Sequence, residues 1–350
     1  MSSYLITGAS RNLGFQFVRH LAQDPENTVI GLVRNKAAAD AKAKAEGLQN
    51  VHMVEAQYTD LASLKAAAEI VKDITGGSLD YLVNNAAIIS SISEFKGLGD
   101  FDDDFEILEK DLLESLDINL MAVIKTIHAF MPLILKGKGK KVITISTGMA
   151  DIDLINETEI EFAAPYAISK AAVNVAVAKY NALYKKEGVL FLAISPGYVA
   201  TERNIGAPPG NEDKVAVLVQ KFAEYAPHFQ RPLTPEESIT AVLSVMNKAS
   251  IENGDGEVSP SNPDKFFYND CSPTKGEGAV AALRPHSYQS FHSPCTYAAW
   301  KQVPSAYLYC LQDATITLEV QKMMVESTKN GYGMQTEMVG ASQPNYQSAK

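Results

Sequence analysis

The 350-residue chain has few cysteines, a single tryptophan and no excess of basic residues. Its cysteines, Cys271, Cys295 and Cys310, lack metal-ligand spacing and are odd in number, which is typical of a reducing compartment, so we expect a cytoplasmic protein without a metal. With 31 basic against 41 acidic side chains, the net charge of −10 argues against nucleic acids and anionic membranes as partners. No apolar run approaches the ~20 residues of a spanning helix, and the first ten residues lack signal-peptide features.

The charge is distributed unevenly along the chain. Residues 258–350 carry seven basic and seven acidic side chains, so the whole negative charge belongs to residues 1–257. All three cysteines and Trp300 also lie in the second segment. Glycines and prolines in Glu252–Asp264 interrupt helices and central strands. The sequence therefore predicts two domains, residues 1–257 and 258–350.

Residues 1–257 alternate between short apolar runs and amphipathic segments. Continuous apolar strands indicate a parallel sheet that helices cover on both faces. This predicts a doubly wound α/β (Rossmann) fold whose ligand lies beyond the carboxyl ends of the strands. The predicted strands are Tyr4–Thr7, Thr28–Val33, Val51–Glu55, Leu79–Val83, Lys141–Ser146 and Val189–Ile194, and the predicted helices are Leu13–Ala22, Leu61–Ile74, Leu112–Leu135, Ala167–Lys186 and Pro235–Lys248.

The first strand leads into a helix through a glycine-containing turn, TGASRNLG. Glycines let the backbone approach a pyrophosphate, and a helix N-terminus supplies free amides. A tight turn without a ligand would use the same residues. Asn12 stands where a third glycine is expected, and asparagine tolerates left-handed backbone. The predicted cofactor contacts here are Gly8, Ser10, Arg11, Asn12, Leu13 and Gly14.

The second strand ends in Arg34 instead of an acidic residue. A carboxylate would bind the ribose diol of NAD, whereas a guanidinium, assisted by Arg11, favours a 2′-phosphate and hence NADP(H). Asp60 is placed to meet the adenine or to cap the next helix, and the two interpretations are compatible. Asn85 and Ala86, after the fourth strand, are expected to bind a ribose or to fix the neighbouring loop.

Tyr166 and Lys170 lie four residues apart in YAISK, on one face of a predicted helix. An ammonium beside a phenol lowers the pKa of the phenol and makes it a usable general acid or base. A surface pair would have the same spacing. However, Ser146 and Thr147 end the preceding strand with hydroxyls, and Asn119 lies in an upstream helix, so these five residues form the predicted catalytic set.

The motifs TGASRNLG, NNAA, ISTGMAD, YAISK and PGYVAT together resemble the short-chain dehydrogenase/reductase family, and most of all its fungal members. The resemblance implies an NADPH-dependent reductase in which Tyr166 exchanges a proton with the substrate oxygen and Lys170 holds the nicotinamide ribose. Thr147 would bind that oxygen, with Ser146 in reserve, and Asn119 would anchor a water. Further implied cofactor contacts are Pro196, Gly197, Val199 and Thr201.

The segment Asn204–Pro227 is the expected substrate lid. Aromatic residues at Tyr198, Phe222 and Tyr225 indicate a hydrophobic ketone or aldehyde, such as a polyketide or other secondary-metabolite intermediate, although the same side chains would serve a core. The resemblance also implies a homo-oligomer, a dimer or tetramer. The alternatives are a non-catalytic NADP-binding regulator and a bifunctional reductase–hydrolase.

The second predicted domain, residues 258–350, resembles the C-terminal portion of fungal α/β-hydrolases. The resemblance implies a strand at Val303–Cys310, a triad acid at Asp313 and a helix at Thr317–Ser327. No G-x-S-x-G nucleophile motif occurs, and His286 and His292 precede Asp313, whereas that superfamily places its histidine last. We therefore expect a smaller hydrolase-like fragment without hydrolytic chemistry, in which Asp313 caps a helix.

Overall fold

The computed structural model describes residues 2–101, 104–201, 210–225, 229, 231–251, 257–258, 286–287 and 318–329. The chain divides into two units, Met1–Ile251 and Glu252–Lys350. The predicted domain boundary between residues 257 and 258 lies a few residues beyond this division and stays a prediction.

Six parallel strands form the sheet of the first unit, in the order β3-β2-β1-β4-β5-β6. Each strand pairs in parallel with its neighbours, so each connection must cross over a face of the sheet. The strand order reverses between β1 and β4, and this opens a crevice at their carboxyl ends. The predicted doubly wound fold is confirmed. The strands are β1 Ser3–Thr7, β2 Thr28–Val33, β3 Val51–Glu55, β4 Tyr81–Asn84, β5 Lys141–Ile145 and β6 Leu190–Ile194.

Helices α1–α9 belong to the first unit. They are α1 Asn12–Leu21, α2 Lys36–Ala45, α3 Leu61–Thr75, α4 Phe105–Leu116, α5 Ala122–Ile134, α6 Ile152–Thr158, α7 Ala164–Tyr184, α8 Glu212–Tyr225 and α9 Pro235–Lys248. The sequence did not predict α2, because only the small side chains of Ala39 and Ala43 are buried there and they give a weak apolar period.

Alternate residues of the strands pack into two separate hydrophobic clusters. Leu5 and Val142 join one cluster with Phe130 of α5, whereas Ile6 and Ile143 join the other. Because successive strand residues point to opposite faces, both faces of the sheet are apolar and covered. This packing is the physical basis of the continuous apolar strands in the sequence.

Helices α4 and α5 are joined by a π-helical turn, Asp117–Met121, into one helical run. The expectation that no segment is long and apolar enough to span a membrane was wrong for this run. Phe105–Ile134 has 30 residues, with a mean hydropathy of 1.3 in its most apolar window, 56% of which is buried within the protein. Ile127 and Phe130 are fully buried in the core beside the sheet, so the hydropathy of this run is accounted for by packing within the fold.

In the second unit, strand β7 (Glu257–Val258) pairs antiparallel with β8 (His286–Ser287). Helix α10 (Leu318–Lys329) overlaps the predicted helix Thr317–Ser327. The predicted strand Val303–Cys310 and the capping acid Asp313 lie outside the described residues. The hydrolase-like fragment is not confirmed and stays a prediction.

Candidate active site

A cavity of about 2040 Å³ lies at the carboxyl ends of the strands, where the fold predicts a ligand. Pockets for one drug-sized ligand are roughly 300–1,000 Å³, so this cavity has room for a dinucleotide and a second molecule. Two predicted site residues, Asp60 and Asn119, are not among those that line it. The predicted residues that do line it are Gly8, Ser10, Arg11, Asn12, Leu13, Gly14, Arg34, Asn85, Ala86, Ser146, Thr147, Tyr166, Lys170, Pro196, Gly197, Val199 and Thr201.

The turn between β1 and α1 requires small residues and left-handed backbone. Gly8 has φ +69°, and Asn12, the first residue of α1, has φ +47°. A Cβ added at Gly14 would lie 2.1 Å from the carbonyl oxygen of Gly8. Asparagine therefore takes the place of the missing glycine in the way the sequence predicts, and Gly14 admits no side chain.

Asn85 braces the end of β4 against β1. Its side-chain Nδ2 donates to the carbonyl of Thr7 at 2.9 Å, and its backbone N–H donates to Thr7 Oγ1 at 3.0 Å. The N–H of Ala86 donates to the same hydroxyl at 2.9 Å. Of the two roles expected for Asn85, the structure therefore has the one that fixes the loop.

Asp60 is the N-cap of α3, where its carboxylate accepts from the N–H of Ala62 at 2.9 Å. The cap satisfies an otherwise unpaired helix amide and holds the carboxylate outside the set of lining residues. The capping role of Asp60 is therefore confirmed, and the expected adenine contact stays a prediction. The cavity positions next to β3 are taken instead by Gln57, Tyr58 and Thr59.

Tyr58 is a lining residue that the sequence did not predict. Its hydroxyl accepts from the N–H of Gly8 at 2.9 Å and donates to the carbonyl of Leu32 at 2.6 Å. Burial raises the pKa of this phenol, while the hydrogen bond from Gly8 and the charge of Arg34 lower it. The signal for Tyr58 was its position just after β3, where the carboxyl end of a parallel strand faces the crevice.

Tyr166 lines the cavity, and its hydroxyl forms a hydrogen bond with the side chain of Thr147. Burial raises the pKa of Tyr166 to about 12 against the opposing effect of Thr147. The ammonium of Lys170 lies 6.0 Å from the centre of the tyrosine ring. Burial is therefore the largest influence on the pKa of Tyr166, and the expectation that Lys170 lowers this pKa stays a prediction.

Lys170 is 2% exposed, and its Nζ donates to the carbonyl of Ile145 at 2.6 Å. Burial lowers the pKa of this ammonium to about 8. Both members of the Tyr–Lys pair are therefore shifted toward their neutral forms, as desolvation predicts for an acid and a base.

The two hydroxyls at the end of β5 have different partners. Ser146 Oγ donates to Oδ1 of Asn174 on α7 at 2.6 Å, whereas the hydroxyl of Thr147 reaches Tyr166. Thr147 also accepts from the N–H of Met149 at 3.2 Å, which holds its χ1 angle. This geometry agrees with the choice of Thr147 over Ser146 as the group beside the tyrosine.

Asn119 is fully buried in the π-helical turn and connects two elements. Its Oδ1 accepts from the N–H of Ile88 at 2.8 Å, and its Nδ2 donates to the carbonyl of Ile88 and to Ser169 Oγ, both at 2.9 Å. Both amide hydrogens are therefore used within the protein. The side chain positions α7 and the loop after β4, and the water that the resemblance implied at Asn119 stays a prediction.

An aromatic wall closes the other end of the cavity. Its residues are Tyr198, Phe222 and Phe229, with ring centres 5.4 Å apart for Tyr198–Phe222 and 6.1 Å apart for Phe222–Phe229. Helix α8 contributes Val215, Leu218, Phe222 and Tyr225 at helical spacing, and all four line the cavity. None of them is fully buried, so this apolar face is directed at the cavity and not at the core.

Two lysines hold α8 over the site. Lys214 donates to the carbonyl of Phe95 at 2.7 Å, and Lys221 donates to the carbonyl of Glu159. The described part, Gly210–Tyr225, of the predicted lid Asn204–Pro227 therefore lies at the cavity. Within the described residues, no group of three or more His, Cys, Asp or Glu side chains is arranged to hold a metal ion.

The family model described as short chain dehydrogenase matches residues 3–211, which include β1–β6 and the Tyr166–Lys170 pair. The chain belongs to the short-chain dehydrogenase family. As a short-chain dehydrogenase it is an oxidoreductase that acts on a small molecule with a nicotinamide cofactor.

Relatives of this short-chain dehydrogenase include fungal proteins. It is 48% identical over 258 residues to the short chain dehydrogenase virK of Hypocrea virens, a match that covers 73% of this chain and 95% of the relative. It is 47% identical over 253 residues to the short-chain dehydrogenase/reductase AacuF of Aspergillus aculeatus, covering 72% and 94%. The NADPH-bound carbonyl reductase from chicken fatty liver shares the fold with a TM-score of 0.59 and 25% identity, covering 73% and 90%.

The family match covers the six strands of this short-chain dehydrogenase but not helix α8. The match ends at residue 211, just before α8 begins at Glu212. The glycine turn and the Tyr–Lys pair lie inside the matched segment, whereas Phe222 and Phe229 lie beyond it. The match to virK of Hypocrea virens spans 258 residues, so similarity to relatives continues beyond the end of the family match.

Proposed function

We propose that this short-chain dehydrogenase is an NADPH-dependent reductase of hydrophobic, aromatic ketones or aldehydes. One observation carries the proposal. The hydroxyl of Tyr166, paired with Thr147, lies in a single cavity that extends from the glycine turn to the aromatic wall. A proton donor between a cofactor site and an apolar chamber is what carbonyl reduction requires.

The cofactor end fits a nicotinamide dinucleotide. A Cβ added at Gly8 would lie 3.1 Å from Cα of Ala86, so the turn is kept free of side chains beside the N-terminus of α1. Arg11 and Arg34 line this end and form no salt bridge or hydrogen bond within the described residues. Two unpaired guanidinium groups and no carboxylate after β2 support a 2′-phosphate, and a solved structural neighbour is an NADPH-bound carbonyl reductase.

The raised pKa of Tyr166 suits reduction better than oxidation. When bound, the reduced nicotinamide supplies a hydride to the carbonyl carbon. With a pKa of about 12 the phenol keeps its proton at neutral pH and can donate it to the oxygen that becomes an alkoxide. Thr147 places a second hydroxyl at the same oxygen, and the ammonium of Lys170 stabilises the negative charge that develops on Tyr166.

The substrate end supports an aromatic substrate of substantial size. The face of α8 that lines the cavity is apolar and lacks burial in the core, so a bound aromatic ring would cover it. Tilted rings with centres about 5–6 Å apart offer edge and face contacts to a further ring. Since close relatives are fungal reductases of this family, we propose a secondary-metabolite intermediate as the natural substrate.

The direct test is Tyr166→Phe in the full-length protein. Removing the hydroxyl takes away the proton donor, so we expect roughly 10²- to 10⁴-fold slower oxidation of NADPH by an aromatic ketone. NADPH binding, followed by its fluorescence, should remain unchanged. Tyr180→Phe is the matched control, because Tyr180 lies on the same helix and stacks on Phe191 away from the cavity. Undiminished turnover in Tyr166→Phe would show that Tyr166 is not the proton donor. If wild type bound NADPH but reduced none of the ketones, a non-catalytic NADP-binding protein would be favoured.

A further inference from the structure

We propose that Lys42 is a third cation of the site for the 2′-phosphate and determines the preference for NADPH together with Arg11 and Arg34. The proposal rests on the NADPH use proposed above. Lys42 lies nine residues beyond the end of β2, in a helix that the sequence did not predict, and no motif pointed to it. The fold brings it to the cofactor end of the cavity.

The position follows from how α2 begins. Asn35 caps this helix, its side chain accepting from the N–H of Ala38 at 3.0 Å. Three to four residues separate Asn35, Ala38 and Lys42, so they share one face, and all three line the cavity together with Ala39. Both alanines are small, and Ala39 is also packed in the core beneath this face.

Two contacts fix the ammonium of Lys42 before any ligand arrives. Its Nζ lies 4.0 Å from the ring centre of Phe15 on α1, a cation–π distance. The same Nζ donates to the carbonyl of Ser10 in the glycine turn at 3.2 Å. A held lysine loses less side-chain entropy when it binds a phosphate, and an ammonium has three hydrogens to donate.

The surrounding charge favours an anion here. Arg11, Arg34 and Lys42 all line the cofactor end of the cavity. Among the described lining residues, Glu94 is the one acidic side chain, and it acts electrostatically on Tyr198 at the aromatic wall. Glu46 also acts electrostatically on Lys42, but it is paired with Arg19 and does not line the cavity. The described lining of the cofactor end therefore has three cations and no carboxylate, which is unnecessary for the neutral ribose diol of NADH but favourable for a 2′-phosphate.

The experiment is a fluorescence titration of full-length wild type and variants with NADPH and, separately, with NADH. Lys42→Met keeps the apolar stem beside Phe15 and removes the charge. We expect NADPH to bind about 5- to 10-fold more weakly to this variant, whereas NADH binds within about twofold of wild type. Lys44→Met on the same helix is the control, since Lys44 is exposed and does not line the cavity, and it should change neither affinity.

The outcomes separate the two proposals. If Lys42→Met weakened the binding of NADPH and of NADH equally, Lys42 would only hold the glycine turn. If the affinity for NADPH were unchanged, Lys42 would not contact the phosphate. Either result overturns the proposed role of Lys42. Lys42→Arg keeps the charge and should retain the NADPH preference, which guards against a folding defect in Lys42→Met. If wild type binds NADH and NADPH with equal affinity, the proposed cofactor preference itself is wrong.

Discussion

At the cofactor end of the cavity the backbone forms much of the surface, whereas at the substrate end apolar side chains form it. The cofactor end consists of the turn Thr7–Gly14, held to β4 by the hydrogen bonds between Asn85 and Thr7. The substrate end consists of Phe222 and its neighbours on α8, which is attached through Lys214 and Lys221 to backbone carbonyls of other segments. The first end has little freedom to change its shape, and the second can change with its side chains.

This difference separates two requirements of one reaction. A dinucleotide has a constant structure and is well bound by backbone amides and a few charged side chains in fixed positions. A hydrophobic substrate is recognised by area and shape, and these depend on side chains such as Phe222 that can change without disturbing the sheet. Tyr166 and Lys170 lie between the two ends, on α7.

The largest effect on the cofactor end is expected from a substitution at Gly14. In Gly14→Ala the added methyl would lie 2.1 Å from the carbonyl oxygen of Gly8, so the turn must move. Overpacking of this kind costs about 1–3 kcal/mol, and about 1.4 kcal/mol is tenfold in affinity. If the displaced turn must regain its original shape to bind NADPH, we expect roughly 5- to 150-fold weaker binding. Fluorescence titration measures this. Gly99→Ala, where a methyl meets nothing within 4 Å, should bind normally; wild-type affinity in Gly14→Ala would show that the turn does not determine the cofactor end.

Local backbone chemistry is the part of the site that sequence reasoning predicted well. The left-handed φ of Asn12 and the cap formed by Asp60 both follow from the preferences of those residue types. The same reasoning left the adenine contact of Asp60 open, because a capping carboxylate and a ligand-binding carboxylate look alike in sequence. The bond from Ala62 to one carboxylate oxygen establishes the cap, and the adenine contact stays a prediction.

Properties that depend on packing between distant segments could not be predicted. The pKa of Tyr166 is raised mainly by burial, which depends on all the segments that enclose the cavity, and the i,i+4 spacing to Lys170 carries no information on burial. Tyr58 reaches Gly8 because β3 and β1 both flank β2, a neighbourhood created by the sheet order. Lys42 was missed for the related reason that α2 buries only alanines.

A second prediction concerns Lys170, between the two ends. Burial lowers the pKa of its ammonium to about 8, so the positive charge is present below that pH and is lost as the pH rises through it. Tyr166 keeps its proton over this range because its pKa is about 12. We therefore expect kcat for ketone reduction at saturating NADPH to fall above pH 8, approaching tenfold per pH unit if the charge is required.

Two variants test the assignment to Lys170. Lys170→Arg stays charged and should lose the decline above pH 8, although its larger head group should lower the rate at every pH. Lys141→Arg is the control, since burial also lowers the pKa of Lys141 but its Nζ donates to the carbonyl of Met246, away from the cavity. A wild-type rate that is flat from pH 7 to 10, or a decline that persists in Lys170→Arg, would assign the titration to another group.

The smallest predicted effect is a change in KM when one ring of the aromatic wall is removed. Phe222→Ala removes one ring of the aromatic wall while leaving the glycine turn untouched, so KM for an aromatic ketone should rise about 10-fold from the lost apolar contact. The affinity for NADPH should stay nearly the same, because the ring contacts of Phe222 are with the rings of Tyr198 and Phe229 and not with the glycine turn. Val217→Ala is the matched control, since Val217 is 41% exposed and does not line the cavity. If KM rose equally for small aliphatic ketones, or if the affinity for NADPH fell in parallel, the wall would support the whole cavity and would not recognise an aromatic ring. The two ends of the cavity would then form one structural unit.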